Sequence, residues 1–341
     1  MSTGKSSVFC SSCGKPYPVC GTPYTCDCGG VFDFNRLPEY NITDPDFSLP
    51  GIWRYRSILG LPENAPIITL GEGRTPLLPG IFSGKQVFYK MESQNPTGSY
   101  KDRGSAVLVS FLHSRGVESA VEDSSGNAGA SLAAYCARAG ISLKVFIPES
   151  ASGPKRWQIE MFGAIVESIA GPRVNAANAV LKAVQSGSVY ASHAFMPFGL
   201  GGIATIAYEI FEELGTTPGT LLAPVGHGGL LYGIMLGFES LQTAGLIKRL
   251  PTFIGVQAEA CAPAVKAFQE NRTEISEILP QKTLAEGASV ATPVRAGQII
   301  RRMVQGAGRM VSVSEDLLLE AYTLSAKQGI FCEPTACLSL A

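Results

Sequence analysis

Strong net charge and long apolar runs are both missing from this chain of 341 residues, and each absence excludes a class of protein. The formal net charge is −1 and no long basic block occurs, so nothing in the sequence favours nucleic-acid binding. No uninterrupted apolar run is long enough to span a bilayer, and residues 1–7 contain no apolar signal core. We therefore expect a soluble, cytoplasmic protein with neither a nucleic-acid nor a membrane partner.

Histidine is also scarce, and its placement excludes one kind of metal site. The chain has three histidines, His113, His193 and His227, without the spacing of metal ligands. Cysteine is more frequent, with nine residues, and five of them cluster near the N-terminus. The remaining cysteines are scattered and are expected to be buried thiols.

The N-terminal cysteines have the pattern of a small zinc module. Cys10 and Cys13 form a Cys-x-x-Cys-Gly knuckle, in which the glycine permits a tight turn around two thiolates. Cys26 and Cys28 would complete a four-thiolate structural zinc site, and Cys20 could replace either of them. The alternative is a small ribbon without metal, whose thiols stay reduced in the cytoplasm.

Beyond this module, strand-like and helix-like segments alternate along the chain. Such alternation predicts an α/β fold with parallel sheets covered by helices. The expected strands include 86–90, 143–147, 165–169 and 252–257, and the expected helices include 155–162, 175–185, 203–214 and 315–328. A chain of this length predicts two packed domains in addition to the module.

Lys101 is the candidate nucleophile. It follows the turn-forming run Asn95–Ser99 and precedes the apolar run Ala106–Leu112, which places its amine where a loop becomes a helix. The positive end of a helix favours the neutral amine, and a neutral lysine attacks carbonyl groups. An ordinary lysine in a first helical turn would have the same local sequence.

Two further loops between a strand and a helix support the reactive interpretation. Asn127 opens a helix after Ser124-Ser125-Gly126, where small residues would let a planar ligand approach the backbone. Gly226, Gly228 and Gly229 precede another helix, and successive glycine N–H groups at a helix start can cradle a phosphate. The three motifs together are much more specific than any one of them.

These motifs resemble those of the fold-type II (tryptophan synthase beta-like) pyridoxal-phosphate-dependent enzymes, and within them the threonine synthase group. The resemblance extends over nearly the whole chain. It implies a two-domain α/β lyase that binds pyridoxal 5′-phosphate and works as a homodimer on a small amino-acid substrate. It is carried by residues 53–56, 70–77, 95–104, 124–127, 224–229 and 331–336.

The resemblance also implies roles for individual residues. Lys101 would form the Schiff base with the cofactor, and Asn127 would bond its 3′-oxygen. The cofactor phosphate would bind at Gly226, His227, Gly228 and Gly229, and the substrate at Ser124, Ser125, Gly126 and His193. The implied reaction converts O-phospho-L-homoserine and water to L-threonine and phosphate, which makes threonine biosynthesis the expected process.

Some positions depart from the family pattern. Where relatives commonly carry an Asn-Ser pair and a later arginine for the substrate phosphate, this chain has His193, Ala194 and Gly199. Ala128 likewise replaces a hydroxyl residue. His193, Ser124 or Lys155 could substitute, although a dianion normally needs charge-assisted donors. These departures leave two alternatives open: a β-elimination or replacement enzyme of the serine/threonine ammonia-lyase type, and a non-catalytic cofactor-binding relative.

The end of the sequence is a second departure. The family's final strand carries Thr-Gly-His-Gly-Leu-Lys, whose threonine bonds the pyridine nitrogen, and nothing here matches it. Either the chain is a truncated product, or another hydroxyl such as Thr335 takes that role. The expected domains are a zinc-ribbon-like module at 1–36, a large cofactor-binding domain at 37–115 and 203–341, and a smaller mobile domain at 116–202.

Overall fold

A computed structural model describes residues 8–41, 43, 45–276, 278–306 and 308–341. The segment expected to lack a signal core, 1–7, lies outside the described residues. The chain divides into two compact units, the first formed by Met1–Thr75 with Glu92–Thr205 and the second by Pro76–Met91 with Ile206–Ala341. The predicted division at 36, 115 and 202 stays a prediction.

Strands and helices alternate as the sequence predicts. The strands are β1 Val8–Cys10, β2 Phe32–Phe34, β3 Leu77–Phe82, β4 Lys85–Lys90, β5 Ser119–Glu122, β6 Ser142–Pro148, β7 Ile165–Ile169, β8 Thr220–Pro224, β9 Thr252–Ala258 and β10 Arg309–Val313. The helices are α1 Lys101–Ser114, α2 Asn127–Ala139, α3 Pro154–Met161, α4 Arg173–Gln185, α5 Gly199–Leu214, α6 Gly229–Thr243, α7 Pro263–Gln269, α8 Ala296–Gly306, α9 Glu315–Lys327 and α10 Pro334–Cys337. Within the described residues, no helix combines the length and the apolar character that crossing a membrane requires.

The first unit contains a parallel sheet in the order β5-β6-β7. The central strand β6 is buried from Val145 to Pro148, as expected for a parallel strand covered on both faces. Helix α2 ends at Gly140, whose left-handed φ of 71° lets its N–H bond the carbonyl oxygens of Ala137 and Cys136. The carboxyl ends of these strands point to the loops that carry the candidate site residues.

The N-terminal module belongs to the first unit and is an antiparallel ribbon of β1 and β2. Its aromatic side chains pack into the unit. Tyr17 contacts Phe111 of α1 and Phe198, with ring centroids 5.8 and 5.0 Å apart. Tyr24 packs on Tyr190, at 5.1 Å. The module is therefore part of the hydrophobic core of this unit.

The second unit contains a parallel sheet in the order β10-β9-β8 and the hairpin β3–β4. Its core includes Phe82 of the hairpin, Val256 of β9, Leu318 of α9 and Leu338 after α10, all buried. The predicted α/β class with parallel sheets and helices is confirmed in both units.

Candidate cofactor and substrate site

Lys101 is the first residue of α1 in the first unit, as the sequence predicts, and it is partly exposed. The turn before it requires Gly98, whose φ is +87°. The backbone N–H and the hydroxyl of Thr97 each bond the carboxylate of Asp102 at 2.6 Å. Ser131 of α2 donates to the same carboxylate, also at 2.6 Å. A fully buried acid thus fixes the loop that presents the lysine.

Cationic and aromatic groups surround that loop within the first unit. The Lys101 amine lies 4.9 Å from the centre of the Tyr100 ring. The amine of Lys155, on α3, donates to the Thr97 carbonyl oxygen at 2.9 Å. Lys155 is partly exposed and stands beside the turn that leads to Lys101. It is therefore a candidate donor for an anionic ligand.

Asn127 opens α2 after the loop that follows β5, again as predicted. Ser124, Ser125, Gly126 and Asn127 are all partly exposed, which makes this loop available to a ligand. A side chain at Gly129 would meet the Ser124 carbonyl oxygen at 1.9 Å, so the loop folds back closely on the first turn of α2. The structure therefore brings the predicted loop residues together.

His193 lies in the same unit, at the carboxyl end of β5. Val121 of β5 exchanges backbone hydrogen bonds with Val189 and Ala191, at 2.8 and 3.0 Å, which sets the position of the segment. The Nδ1 atom of His193 lies 3.0 Å from Oε1 of Glu122, the last residue of β5. Ligands of parallel α/β sheets bind outside the carboxyl ends of the strands, so both residues are well placed for a substrate site.

The predicted phosphate loop lies in the second unit, between β8 and α6. Gly228 has a φ of +93°, and a side chain there would meet Ile299 at 2.7 Å. A side chain at Gly226 would meet the Gly287 carbonyl oxygen at 3.0 Å. No atom of another residue lies within 4 Å of the place that a side chain at Gly229 would take. The first turn of α6 has no acidic residue. Such a loop fits a phosphate group, which needs close backbone approach and a positive helix end.

Two other residues of the second unit lie close to this loop. The His227 carbonyl oxygen accepts from the Arg295 N–H at 2.9 Å, which holds the middle of the loop. Thr335, on α10, accepts from the Gly287 N–H at 3.2 Å through its hydroxyl oxygen. Gly226, Gly287 and Thr335 are thus joined by close contacts within one unit.

The four predicted zinc ligands converge in the N-terminal module. The sulfur atoms of Cys10, Cys13, Cys26 and Cys28 all lie within 4.8 Å of one another. Cys10 and Cys28 are 3.5 Å apart, and Cys13 and Cys26 are 3.7 Å apart. Tetrahedral zinc with Zn–S bonds of about 2.3 Å requires sulfurs about 3.8 Å apart. The donor set and spacing fit zinc, and Cys20 is exposed outside this group.

Backbone groups favour the thiolate form of one of these ligands. Burial alone would raise the pKa of Cys10, but the backbone N–H groups of Cys13 and Ser12 and the thiols of Cys28 and Cys13 lower it to about 7. Thiolates are the form that binds zinc. The surroundings of Cys10 therefore favour its metal-binding form.

One residue that sequence reasoning did not select is prominent here. Glu122 is fully buried beside His193. Its signal was an acidic residue at the end of an apolar strand, directly before the Ser-Ser-Gly-Asn loop. Arg103 was expected, together with Asp102, to anchor the lysine loop through hydrogen bonds, and it is fully buried among polar partners.

The chain belongs to the family of pyridoxal-phosphate dependent enzymes, whose family model matches residues 68–341. Threonine synthase of Methanocaldococcus jannaschii is 34% identical, with 97% of this chain and 85% of that protein covered. Threonine synthase of Methanosarcina acetivorans is 32% identical, with 97% and 84% covered. The predicted resemblance to the threonine synthase group is thereby confirmed.

A solved structure agrees at the level of fold and sequence. The threonine deaminase of T.th. superposes with a TM-score of 0.66 at 29% identity, covering 78% of this chain and 85% of that one. The protein is thus a pyridoxal-phosphate-dependent, lyase-type enzyme. The glycine loop and the fixed lysine turn fit that cofactor, each within its own unit.

Proposed function

We propose that this enzyme converts O-phospho-L-homoserine and water to L-threonine and phosphate. The observation that carries the proposal is the 34% identity to a threonine synthase over 97% of the chain. The same chain carries the Lys101 turn, the Asn127 loop and the glycine loop, each at the start of a helix. The cofactor, when bound, supplies an electron sink that stabilises negative charge on substrate carbons.

The residues of this chain would divide the remaining work. Lys101 would hold the cofactor covalently and exchange protons with the substrate. Asn127 would bond the 3′-oxygen of the cofactor. Thr335, on α10, would form a hydrogen bond with the pyridine nitrogen of the cofactor. The cofactor phosphate would bind to the loop formed by Gly226, His227, Gly228 and Gly229 at the start of α6.

The substrate phosphate needs other donors, because Gly199 and Ala194 offer none. We propose Lys155 and His193 for this role, with Ser124, Ser125 and Gly126 binding the remainder of the substrate. Charge-assisted hydrogen bonds are worth about 1.5–3 kcal/mol, so Lys155→Met should lower kcat/KM about ten- to a hundredfold. Lys182→Met, at an exposed position of α4, is the matched control.

A serine/threonine ammonia-lyase activity is the second candidate. It is favoured by the missing guanidinium and hydroxyl donors in the 193–199 segment, since an uncharged hydroxy-amino acid does not need them. It is also favoured by the 29% identity to a structure named threonine deaminase.

One set of assays separates the candidates. Protein saturated with pyridoxal phosphate is given O-phospho-L-homoserine, L-serine or L-threonine, and phosphate, threonine and keto acid are measured. Threonine formed in step with phosphate supports the proposal. Keto acid from the hydroxy-amino acids without threonine formation supports the second candidate, and no turnover of any substrate supports a non-catalytic relative. The homodimer and the cytoplasmic location stay predictions.

A further inference from the structure

Glu122 is a buried carboxyl group with an unusual environment. It is fully buried at the end of β5, and its Oε1 atom has His193 as a hydrogen-bond partner. The second oxygen, Oε2, is also buried and has no partner among the described residues. A buried carboxylate normally accepts several hydrogen bonds, so one satisfied oxygen does not stabilise a full negative charge.

The charged groups around Glu122 and His193 have opposing effects on the pKa of Glu122. Burial raises the pKa of Glu122 well above its ordinary value, and the neighbouring Asp123 raises it further. Arg173 of α4 and Lys101 of α1 oppose this effect. Tyr190 faces the same region, and its hydroxyl donates to Asp123 at 2.7 Å. Burial raises the pKa of the Cys136 thiol on α2, and Glu122 raises the pKa of that thiol further.

The consequence concerns the other nitrogen of the His193 ring. Because Glu122 is fully buried and its Oε2 has no partner among the described residues, the pair is favoured in the state that holds one proton more than a carboxylate beside a neutral imidazole. If that proton lies on the carboxyl group, Glu122 donates to Nδ1 and the neutral imidazole carries its hydrogen on Nε2. If it lies on the imidazole, both ring nitrogens carry hydrogens. In either arrangement Nε2 bears a hydrogen.

The ring is placed where a substrate could use that hydrogen. Its side chain is 25% exposed, whereas Glu122 is 1% exposed. It stands at the carboxyl end of β5, the same strand end from which the Ser124–Asn127 loop departs.

We propose that His193, positioned by Glu122, donates a proton from Nε2 to the oxygen that leaves the substrate side chain. This rests on the proposed function. In the reaction of O-phospho-L-homoserine, a proton leaves Cβ and the electron pair of that Cβ–H bond forms a Cβ–Cγ double bond as the Cγ–O bond breaks. The electron pair of the Cγ–O bond stays with the oxygen, and the proton from Nε2 gives hydrogen phosphate. A proton then returns to Cγ to form the methyl group, the water that adds at Cβ releases one proton to solvent, and the pair regains its proton from solvent. Glu122 acts through His193 and is a positioning residue.

Leaving-group dependence tests the proposal in the enzyme saturated with pyridoxal phosphate. L-vinylglycine has the same carbon skeleton without a leaving oxygen, so its conversion to threonine needs no proton at that position. His193→Gln should slow phosphate release from O-phospho-L-homoserine by about 100-fold or more, the range of general acid catalysis, and spare the conversion of L-vinylglycine. Glu122→Gln should give a smaller loss with the same selectivity. His113→Gln, at an exposed position of α1, is the control.

An equal loss with both substrates would overturn the proposal, because it would indicate a role in folding or in binding the amino-acid part of the substrate. A loss for O-phospho-L-homoserine that lies in KM with kcat unchanged would also overturn it, because it would indicate that His193 only binds the phosphate. If the protein proves to be an ammonia-lyase, L-serine replaces the phosphate ester and β-chloro-L-alanine, whose chloride leaves without a proton, replaces L-vinylglycine. The product assays on the parent enzyme test the proposed function, and the leaving-group comparison in the variants tests this inference, so the two failures are distinguishable.

A spectroscopic measurement tests the pair without relying on turnover. The three histidines make an NMR titration of ¹⁵N-histidine-labelled holoenzyme tractable, and His193→Gln identifies the signals of His193. The His193 imidazole should change its signals only above neutral pH, and Glu122→Gln should lower that midpoint by about one unit or more. Equal midpoints near the ordinary histidine value in both proteins would overturn the proposal. Unchanged His113 and His227 signals would show that each variant is folded.

Discussion

The chemistry expected of Lys101 depends on the backbone that precedes it. A positive φ at Gly98 and the bonds between Thr97 and Asp102 fix the turn, so the lysine enters α1 at its first position. There its amine lies 4.9 Å from the centre of the Tyr100 ring.

Lys101→Ala should abolish covalent cofactor binding. The parent protein with pyridoxal phosphate should absorb in the visible, and borohydride should fix the cofactor on the peptide containing Lys101. The variant should show neither the band nor the label, because the proposal assigns the covalent bond to Lys101 alone. A label on another lysine of the parent would contradict the assignment.

Gly199 shows how packing limits an inference from family resemblance. An arginine at this position would supply the phosphate donor that relatives have, and from sequence alone Gly199→Arg should raise threonine formation. In the structure, a side chain at Gly199 would meet the Gly104 carbonyl oxygen of α1 at 3.2 Å. Helix α5 therefore begins in close contact with α1, and the helix that carries Lys101 would have to shift.

We now expect Gly199→Arg to destabilise the protein by about 1–3 kcal/mol, the usual cost of overpacking, without a gain in threonine formation. Thermal unfolding and steady-state phosphate release measure the two effects. Leu246→Arg, outside the first unit, controls for an added charge. A faster and equally stable Gly199→Arg enzyme would show that α1 accommodates the side chain.

At the scale of elements, the N-terminal module combines four clustered cysteines that could hold a metal with aromatic side chains that pack into the unit. The same short segment that carries the four cysteines also carries Tyr17 and Tyr24, which pack on Phe198 and Tyr190. Those two residues flank the segment that contains His193. If metal binding orders the module, it should therefore also stabilise the segment between Tyr190 and Phe198, which contains His193.

We expect about one zinc per chain in the parent protein, as a four-thiolate site predicts. Cys13→Ser should lose the metal and lower the melting temperature, because metal binding to such modules contributes directly to folding. Cys20→Ser should retain both metal and stability, since Cys20 is exposed outside the cluster. Elemental analysis and calorimetry provide the measurements. A metal-free parent with the stability of the zinc-loaded protein would contradict a structural role.

At the scale of the whole molecule, Arg103 forms hydrogen bonds to the three residues at which the chain leaves or re-enters the first unit. Its guanidinium donates to Thr75 at 3.0 Å, to Glu92 at 2.8 Å and to Thr205 at 2.9 Å. These three residues are the ones at which the chain leaves or re-enters the unit. One buried side chain therefore fixes three segments that are distant in sequence.

Arg103→Met should lower the free energy of unfolding by about 3–5 kcal/mol, since it leaves a partly buried carboxylate without its ion-pair partner. Arg138→Met, at an exposed position of α2, should have little effect. Denaturant titrations of both variants compare the two costs. Equal midpoints would show that water replaces the guanidinium at all three contacts.

The sequence by itself determined the alternating α/β pattern, which follows from local periodicity. It also showed the loop-to-helix motifs at the starts of α1, α2 and α6, which are properties of short segments and carry the resemblance to the cofactor family. The residues that would hold the cofactor follow from that resemblance and stay a prediction. The convergence of the four cysteines was also predictable, because knuckle spacing is local.

Only the tertiary structure decided which distant residues meet. The contact of Glu122 with His193 spans 71 positions, and the contact of Arg103 with Thr205 spans 102. No local pattern reports such contacts, because they depend on how strands order within a sheet and which side chains become buried. The same reason applies to Gly199, whose sequence context suggested an open phosphate site and whose structure shows two helices in contact. Burial changes the energy of a charge more than its neighbours in sequence do, and burial is a property of the fold.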